Sequence, residues 1–329
     1  MNDKVLVTGS AGFIGSWVCT ALRARGYAVA GLDSRHHAPA AEIDKELHCD
    51  LLDQGALLRH VKEWQPRFLI HLAARTDLRE KTDLAGYEAN IGGVRNLLHA
   101  IRATGSITRA VFTSSQLVNR IGHVPSSMDE YSPSTLYGQS KVLTERIVKE
   151  TAGGGVDWCL VRPTTVWGPG MSRHYQTFLA LILKRRYFHC GRARLLKSYS
   201  YVANIAAQYS ALLVAPASSI HGRTLYLADY EPISLREYAD DLASQMGARP
   251  IPTIPLPLAR LLGRFGDIAE LLTGRHMPLN SFRLNNILTE YVFDLKPTER
   301  ICGPLPTNYA AGIRETARWF LELKGRQSC

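Results

Sequence analysis

Long apolar runs are missing from this 329-residue chain, and no segment has the dense apolar character of a membrane span. The uncharged stretch at 198–222 carries Asn204, Gln208, several serines and Pro216, so it reads as a buried helix instead. Cysteine is sparse: the six residues at 19, 49, 159, 190, 302 and 329 show no metal-ligand or disulfide spacing, which suits a reducing cytoplasm. Cys19 and Cys159 fall within helical and strand patterns and read as core thiols. The first strand begins a few residues after Met1, leaving no room for a signal peptide. No internal repeat is visible. The formal charge of +10 has local concentrations only at Arg185-Arg186 and at Arg192, Arg194 and Lys197; without an aromatic-basic module, nucleic acid is not an expected partner. Apolar residues make up 46%, enough to exclude disorder and to bury a large core.

What is present begins at once. Lys4 to Thr8 reads as a buried strand, followed by Gly9-Ser10-Ala11-Gly12-Phe13-Ile14-Gly15 and an apolar periodic run through Trp17, Val18, Ala21 and Leu22. A second strand, Tyr27 to Leu32, ends at Asp33. Glycines at this turn let the backbone approach a pyrophosphate at the positive end of a helix, and Asp33 falls where a carboxylate accepts hydrogen bonds from an adenosine ribose. Asp33 would also repel a 2′-phosphate, so NAD is favoured over NADP, although Arg35 and the neighbouring His36 and His37 could soften that repulsion. Further strands are expected near 46–49, 67–72, 109–114 and 157–162, with helices between them. That alternation predicts an α/β fold with a Rossmann-type, doubly wound parallel sheet over 1–163. Gly153-Gly154-Gly155 ends the last helix before 157. Residues 164–329 read mostly as a smaller substrate lobe, interleaved with segments near 198–228 that return to the first domain.

Tyr137 and Lys141 stand four apart, so on a helix they share a face and reach one ligand. A free tyrosine has a pKa of roughly 10; a nearby ammonium favours the phenolate and brings it toward a working base. In the lobe, Ser234-Leu235-Arg236-Glu237 has the form of a capping box, and Leu258, Leu261, Leu262, Phe265 and Leu272 mark an apolar helix face. Pro255, Pro257, Asp267 and Glu270 favour packing of that face within the lobe over a membrane surface or a partner helix.

Taken together, these motifs resemble the extended branch of the short-chain dehydrogenase/reductase superfamily, and within it the UDP-glucose 4-epimerase-like nucleotide-sugar epimerases and dehydratases. The resemblance covers nearly the whole chain. His71-Leu72-Ala73-Ala74 is similar to the family segment beneath the nicotinamide ribose, Asp50 with Leu51 to its adenine-contacting pair, and Asn90 to Leu98 to its central helix. Val111 to Ser115 resembles the strand that ends in a catalytic Ser or Thr, with Thr113 and Ser114 as structural or cofactor-side groups. Arg162-Pro163-Thr164-Thr165-Val166-Trp167-Gly168-Pro169-Gly170 and Gly191 to Val202 resemble two later segments, the second of which contacts a nucleotide diphosphate through positions such as Arg192 and Lys197.

The resemblance implies that Tyr137 exchanges a proton with a sugar hydroxyl, that Ser115 hydrogen-bonds the reacting oxygen, and that Lys141 binds the nicotinamide ribose. It implies cofactor contacts from Gly9, Gly12, Phe13, Ile14, Gly15, Asp33, Asp50, Leu51, Leu72, Ala73, Ala74, Asn90, Thr113, Tyr137, Lys141, Arg162 and Pro163, and substrate contacts from Ser115, Gln116, Tyr137, Thr165, Arg192 and Lys197. No metal is expected. Dehydratases need a carboxylate pair after the Ser/Thr, and Gln116 and Leu117 stand there, which leaves epimerisation or net ketosugar reduction. Thr165 replaces the usual Asn, Lys197 the usual Arg, and Asn119-Arg120 the usual Tyr-Gly, signs of altered sugar specificity. The expectation is a cytoplasmic, NAD-dependent epimerase acting at C4 on the hexose of a UDP-sugar in surface polysaccharide synthesis. Its expected partner is a nucleotide-diphosphate sugar, with no membrane partner. A homodimer would form through helices near 83–104 and 137–152. A 4-ketosugar reductase, a hydroxysteroid-type dehydrogenase and a non-catalytic dinucleotide sensor are the alternatives.

Overall fold

Val5, Leu6 and Val7 are fully buried, as a strand covered on both faces requires. In this computed structural model, which describes residues 2–36, 42–78, 80, 82–274, 277 and 279–328, they lie in β1 (Lys4–Thr8). The chain continues through α1 (Phe13–Ala24), β2 (Ala28–Asp33), β3 (Lys45–His48), α2 (Gln54–Trp64), β4 (Phe68–His71), α3 (Glu88–Thr104), β5 (Arg109–Thr113), α4 (Leu136–Glu150) and β6 (Asp157–Pro163). Helices α5 (Arg173–Leu183), α6 (Val202–Val214) and the short α7 (Ala217–Ile220) precede β7 (Arg223–Leu227). Then come α8 (Leu235–Gln245), α9 (Leu256–Thr273), α10 (Ser281–Leu288), α11 (Lys296–Cys302) and α12 (Tyr309–Ser328).

The seven strands form one parallel sheet in the order β7-β6-β5-β4-β1-β2-β3, with register fixed by pairs such as Val7↔Gly31, Val7↔Ile70 and Thr113↔Val161. This is the doubly wound parallel sheet that the alternating pattern predicts. The cluster on one face gathers Val18, Cys19 and Leu22 of α1 with Ile205, Tyr209 and Leu212 of α6. On the other face Leu57 and Val61 of α2, Val94 and Leu97 of α3 and Val148 of α4 converge. Between α4 and β6 the chain turns through Gly153, Gly154 and Gly155, all at positive φ; a side chain at Gly153 would collide with Trp158. The five described cysteines are free thiols, and Cys329 lies outside the described residues, as does His37.

By contacts the chain divides into two units. The first comprises 1–166, 200–230 and 293–307 and holds the whole sheet; the second comprises 167–199, 231–292 and 308–329. Within the second, Trp167 meets Tyr238 edge-on at 5.1 Å, and Thr253–Ile254 pairs with His189–Cys190. Ser234 caps α8 by accepting the Glu237 N–H. The apolar face at Leu258, Leu261, Leu262, Phe265 and Leu272 corrects an expectation: these side chains are exposed, not packed within the lobe. The side of α9 that is buried is made of small residues, Ala259, Gly263 and Gly266.

One ion pair is sealed in the first unit. Arg162 of β6 and Glu145 of α4 have no solvent exposure and meet through two bonds of 2.8 Å. Tyr131 donates to Glu145 at 2.9 Å, and Arg162 donates to the Met128 carbonyl at 2.7 Å. Both charges are therefore satisfied by protein groups. Glu145→Gln leaves the guanidinium buried without its counter-charge and should lower stability by about 3–5 kcal/mol, whereas Glu145→Leu with Arg162→Met should cost less than the single change; urea unfolding of both variants checks this.

Candidate active site

The order of the strands reverses between β1 and β4, and in such sheets ligands sit beyond the carboxyl ends of the strands at that point. Gly9 follows β1 at φ +74°, and a Cβ there would lie 2.6 Å from the Ala73 nitrogen. A side chain at Gly15 would strike the Gly9 carbonyl. Helix α1 starts after Gly12 with no side-chain cap and no acid in its first turn, so its positive pole is left for an anion. Phe13 and Ile14 pack their side chains against the core, which leaves backbone as their contribution to that pole. Asp33 is buried; its carboxylate accepts the Ala11 N–H at 3.1 Å and the Arg35 N–H at 3.0 Å, and Arg35 Nε lies 3.3 Å away. Asp33 thereby shapes the glycine loop as well as offering an acceptor. Asp50 accepts the Leu52 N–H, while Leu51 is buried in the core.

The tail of β4 is tied to β1. Leu72 N–H donates to the Thr8 carbonyl, Ala73 N–H to Thr8 Oγ1, and His71 Nδ1 lies 2.8 Å from that hydroxyl. Burial and the Lys141 charge push the His71 pKa down to about 3, so this imidazole is neutral. Ala74 is half-buried at the end of the segment. Asn90 accepts the Arg75 N–H at 2.7 Å and donates to the Arg75 carbonyl and to Ser140 Oγ, each at 3.0 Å. Its amide pins the β4 exit loop to α3 and α4.

At the end of β5 three side chains converge. Ser115 Oγ accepts the Leu117 N–H at 3.1 Å, and the buried Tyr137 lies near enough to the Ser115 hydroxyl for it to favour the phenolate. Lys141 Nζ donates to the Thr113 carbonyl at 2.9 Å, and the Thr113 hydroxyl meets Tyr209 of α6 at 2.8 Å. Thr135 caps α4 by accepting the Gly138 N–H at 3.0 Å. A side chain at Gly138 would strike the Leu117 carbonyl, so this glycine lets α4 press against the turn carrying Ser115. Burial raises the Tyr137 pKa to about 12 against the opposing pull of the Ser115 hydroxyl. Burial lowers that of Lys141 to about 8, and Glu145 counteracts it. In the chain alone Tyr137 is thus a neutral phenol governed by burial rather than by the Lys141 ammonium.

Among the buried polar atoms without a hydrogen-bond partner are Ser114 Oγ and Gln116 Oε1, on either side of Ser115, and Thr164 Oγ1, directly after β6. Each keeps hydrogen-bonding capacity that a water or a bound molecule would satisfy. With the uncapped α1, the glycine cradle and the Asp33 carboxylate, the residues fit a dinucleotide. Pro163, the last residue of β6, is buried, and Thr165 is half-buried in the next short strand. Arg162 corrects an expectation, because its guanidinium is committed to Glu145 and Met128 and has none of its charge to spare for a cofactor. The basic group at 192–197 is also divided. Arg192 is exposed, Arg194 pairs with Glu237 at 2.7 Å, and Lys197 is buried, donating to the Asn286 carbonyl at 2.6 Å with its pKa lowered by burial to about 8. Sequence reasoning missed Gly138, Glu145 and Tyr209. Tyr137, Lys141 and Glu145 repeat at every fourth position, which was a readable signal for Glu145.

The chain is similar to known proteins. The chain is 31% identical over 294 residues, 82% of its length and 79% of the relative's, to a 3β-hydroxysteroid dehydrogenase/Δ5→4-isomerase of Mycobacterium tuberculosis. It is 25% identical over 332 residues, covering 98% of itself and 97% of the relative, to N-acetyl-alpha-D-glucosaminyl-diphospho-ditrans,octacis-undecaprenol 4-epimerase of Escherichia coli O157:H7. The Thermus thermophilus UDP-glucose 4-epimerase, solved with NAD, superposes with a TM-score of 0.71 at 23% identity over 97% of this chain and 99% of that one, a likeness of fold. The family model matches residues 5–228, from the first strand through the last strand of the sheet, and the chain therefore belongs to the NAD-dependent epimerase/dehydratase family.

Proposed function

We propose that this NAD-dependent enzyme epimerises a hexose ring carbon, C4 by resemblance, of a diphosphate-linked sugar, with a UDP-sugar as the first candidate and surface polysaccharide synthesis as the setting. The observation that carries the reading is the Ser115 hydroxyl near the buried Tyr137, with the buried Lys141 one turn further along α4 and Gln116 and Leu117 in place of a carboxylate pair. Bound NAD supplies a hydride acceptor and, in the return step, the donor. Ser115 holds the reacting oxygen, and Tyr137 takes its proton and later gives it back. Lys141 reaches a ribose hydroxyl from its place on the Thr113 carbonyl, and its charge favours the Tyr137 phenolate when the site is loaded. Ser114, Gln116 and Thr164 supply polar atoms to the bound molecules, and Thr165 lies next in line. A homodimer built on α3 and α4 belongs to the same reading.

A dehydrogenase or ketoreductase for an apolar alcohol is the second reading. It is favoured by the hydroxysteroid dehydrogenase relative and by the division of the 192–197 basic group, which weakens the argument for a diphosphate there.

Denaturing the purified protein and identifying the released dinucleotide separates the two. Near-stoichiometric NAD, with interconversion of UDP-hexoses, is expected for an epimerase, which must keep its cofactor through the cycle. A protein that releases none and turns over only with added NAD(P)H is a reductase. Tyr137→Phe should lower turnover by roughly 10²–10⁴-fold; full turnover in this variant would remove Tyr137 from the chemistry.

Lys141 gives a pH signature. Its folded-state pKa, about 8, lies below the usual 10.5, so below pH 8 the folded chain carries the full cost of a buried charge. From pH 8 upward the unfolded chain binds more protons than the folded one, and stability rises. Up to pH 9, above which the thiols of Cys19, Cys49, Cys159 and Cys302, raised by burial, oppose the trend, the gain from Lys141 is on the order of 1 kcal/mol. Thermal melting of NAD-free protein across this range should show the rise in the wild type and a flatter profile in Lys141→Met.

A further inference from the structure

Helix α9 turns its large apolar residues to solvent. Leu258, Leu261, Leu262, Phe265, Ile268 and Leu272 recur at three- and four-residue steps and form one stripe, with Phe265 58% and Leu272 79% exposed. The orientation is built in. A side chain at Gly266 would collide with the Leu279 carbonyl, and one at Gly263 would lie 3.4 Å from the Ser281 nitrogen, so only the small face of α9 fits against the segment leading into α10. The acids of α9 also turn that way: Asp267 accepts the Ser281 N–H at 3.0 Å, and Glu270 accepts the Met277 N–H at 2.7 Å. Arg260 and Arg264, four apart beside the stripe, are exposed. On α10, Phe282 is exposed as well.

The charge of the chain is concentrated on the same unit. Its three segments hold 17 Lys and Arg against 9 Asp and Glu, a formal +8 of the chain's +10, whereas the sheet-bearing unit is nearly neutral. Exposed Lys184, Arg185 and Arg186 lead into the strand His189–Cys190, which pairs with Thr253–Ile254 directly before α9.

We propose that the α9 face docks on an anionic lipid bilayer, lying in the interface with Leu261, Phe265 and Leu272 set about 5–10 Å into the headgroup boundary and the arginines among the lipid phosphates. The charge selects this occupant. A second copy docked through the same face would bring two units of +8 together, whereas an anionic surface neutralises them. The docking is peripheral, since no described helix is long and apolar enough to cross a membrane. It departs from the expectation of no membrane partner and stands independently of the reading of the active site.

The test is co-sedimentation of the full chain with phosphatidylcholine vesicles, with and without about a third phosphatidylglycerol. Binding is expected on the anionic vesicles, weakening at least tenfold on neutral ones and at an ionic strength of about 0.5 M. Leu261→Ser with Phe265→Ser and Leu272→Ser should weaken it tenfold or more without changing the melting temperature, because these side chains support no core. Equal binding to neutral and anionic vesicles would overturn the proposal, as would anionic binding unmoved by the triple substitution. Absence of vesicle binding, with a dimer in sedimentation that the triple substitution dissociates, would assign the face to a second copy and overturn it as well.

Discussion

A buried carboxylate fixes the active helix in place. Glu145 lies two turns beyond Tyr137 and one beyond Lys141 on the same face of α4, and its bidentate bond to Arg162 fastens that face to β6. The two ions are costly to bury, and they are tolerated because every strong hydrogen-bonding direction is met by a partner. The pair also sets local electrostatics, since the Glu145 charge partly offsets the burial that drives the Lys141 pKa downward. Positioning of α4 and control of its lysine thus come from one interaction.

A second constraint acts through glycine. Gly9, Gly15 and Gly138 each stand where a Cβ would strike backbone: the β4 tail, the turn of the same loop, and the turn after Ser115. Absent side chains bring the cofactor loop, the β4 exit and the head of α4 close together, and Asn90 then bonds across the last two.

Much of this was legible in the sequence because it is local. The first glycine loop, Asp33, the strands and the Tyr137–Lys141 spacing depend on neighbours within a few residues, where periodicity and turn chemistry are reliable. What was misread depends on partners far along the chain. Arg162 reads as a ligand-facing cation until Glu145, 17 residues away, is found to hold it. The cluster at 192–197 reads as one basic patch, yet Glu237 takes Arg194 and the Asn286 carbonyl takes Lys197. The α9 stripe has the period of a core-facing helix, and nothing local reveals that the glycine side is the one that fits inward.

Thr113 is held from both sides of the sheet at once, by Tyr209 of α6 through its hydroxyl and by Lys141 of α4 through its carbonyl. The backbone that delivers Ser115 is therefore a rivet through three layers rather than a free strand end. Strain in α6 has a direct mechanical route to the hydroxyl that the proposed mechanism assigns to the reacting oxygen. A slip of a few tenths of an ångström there would be felt as misalignment in the chemical step before it was felt as lost affinity.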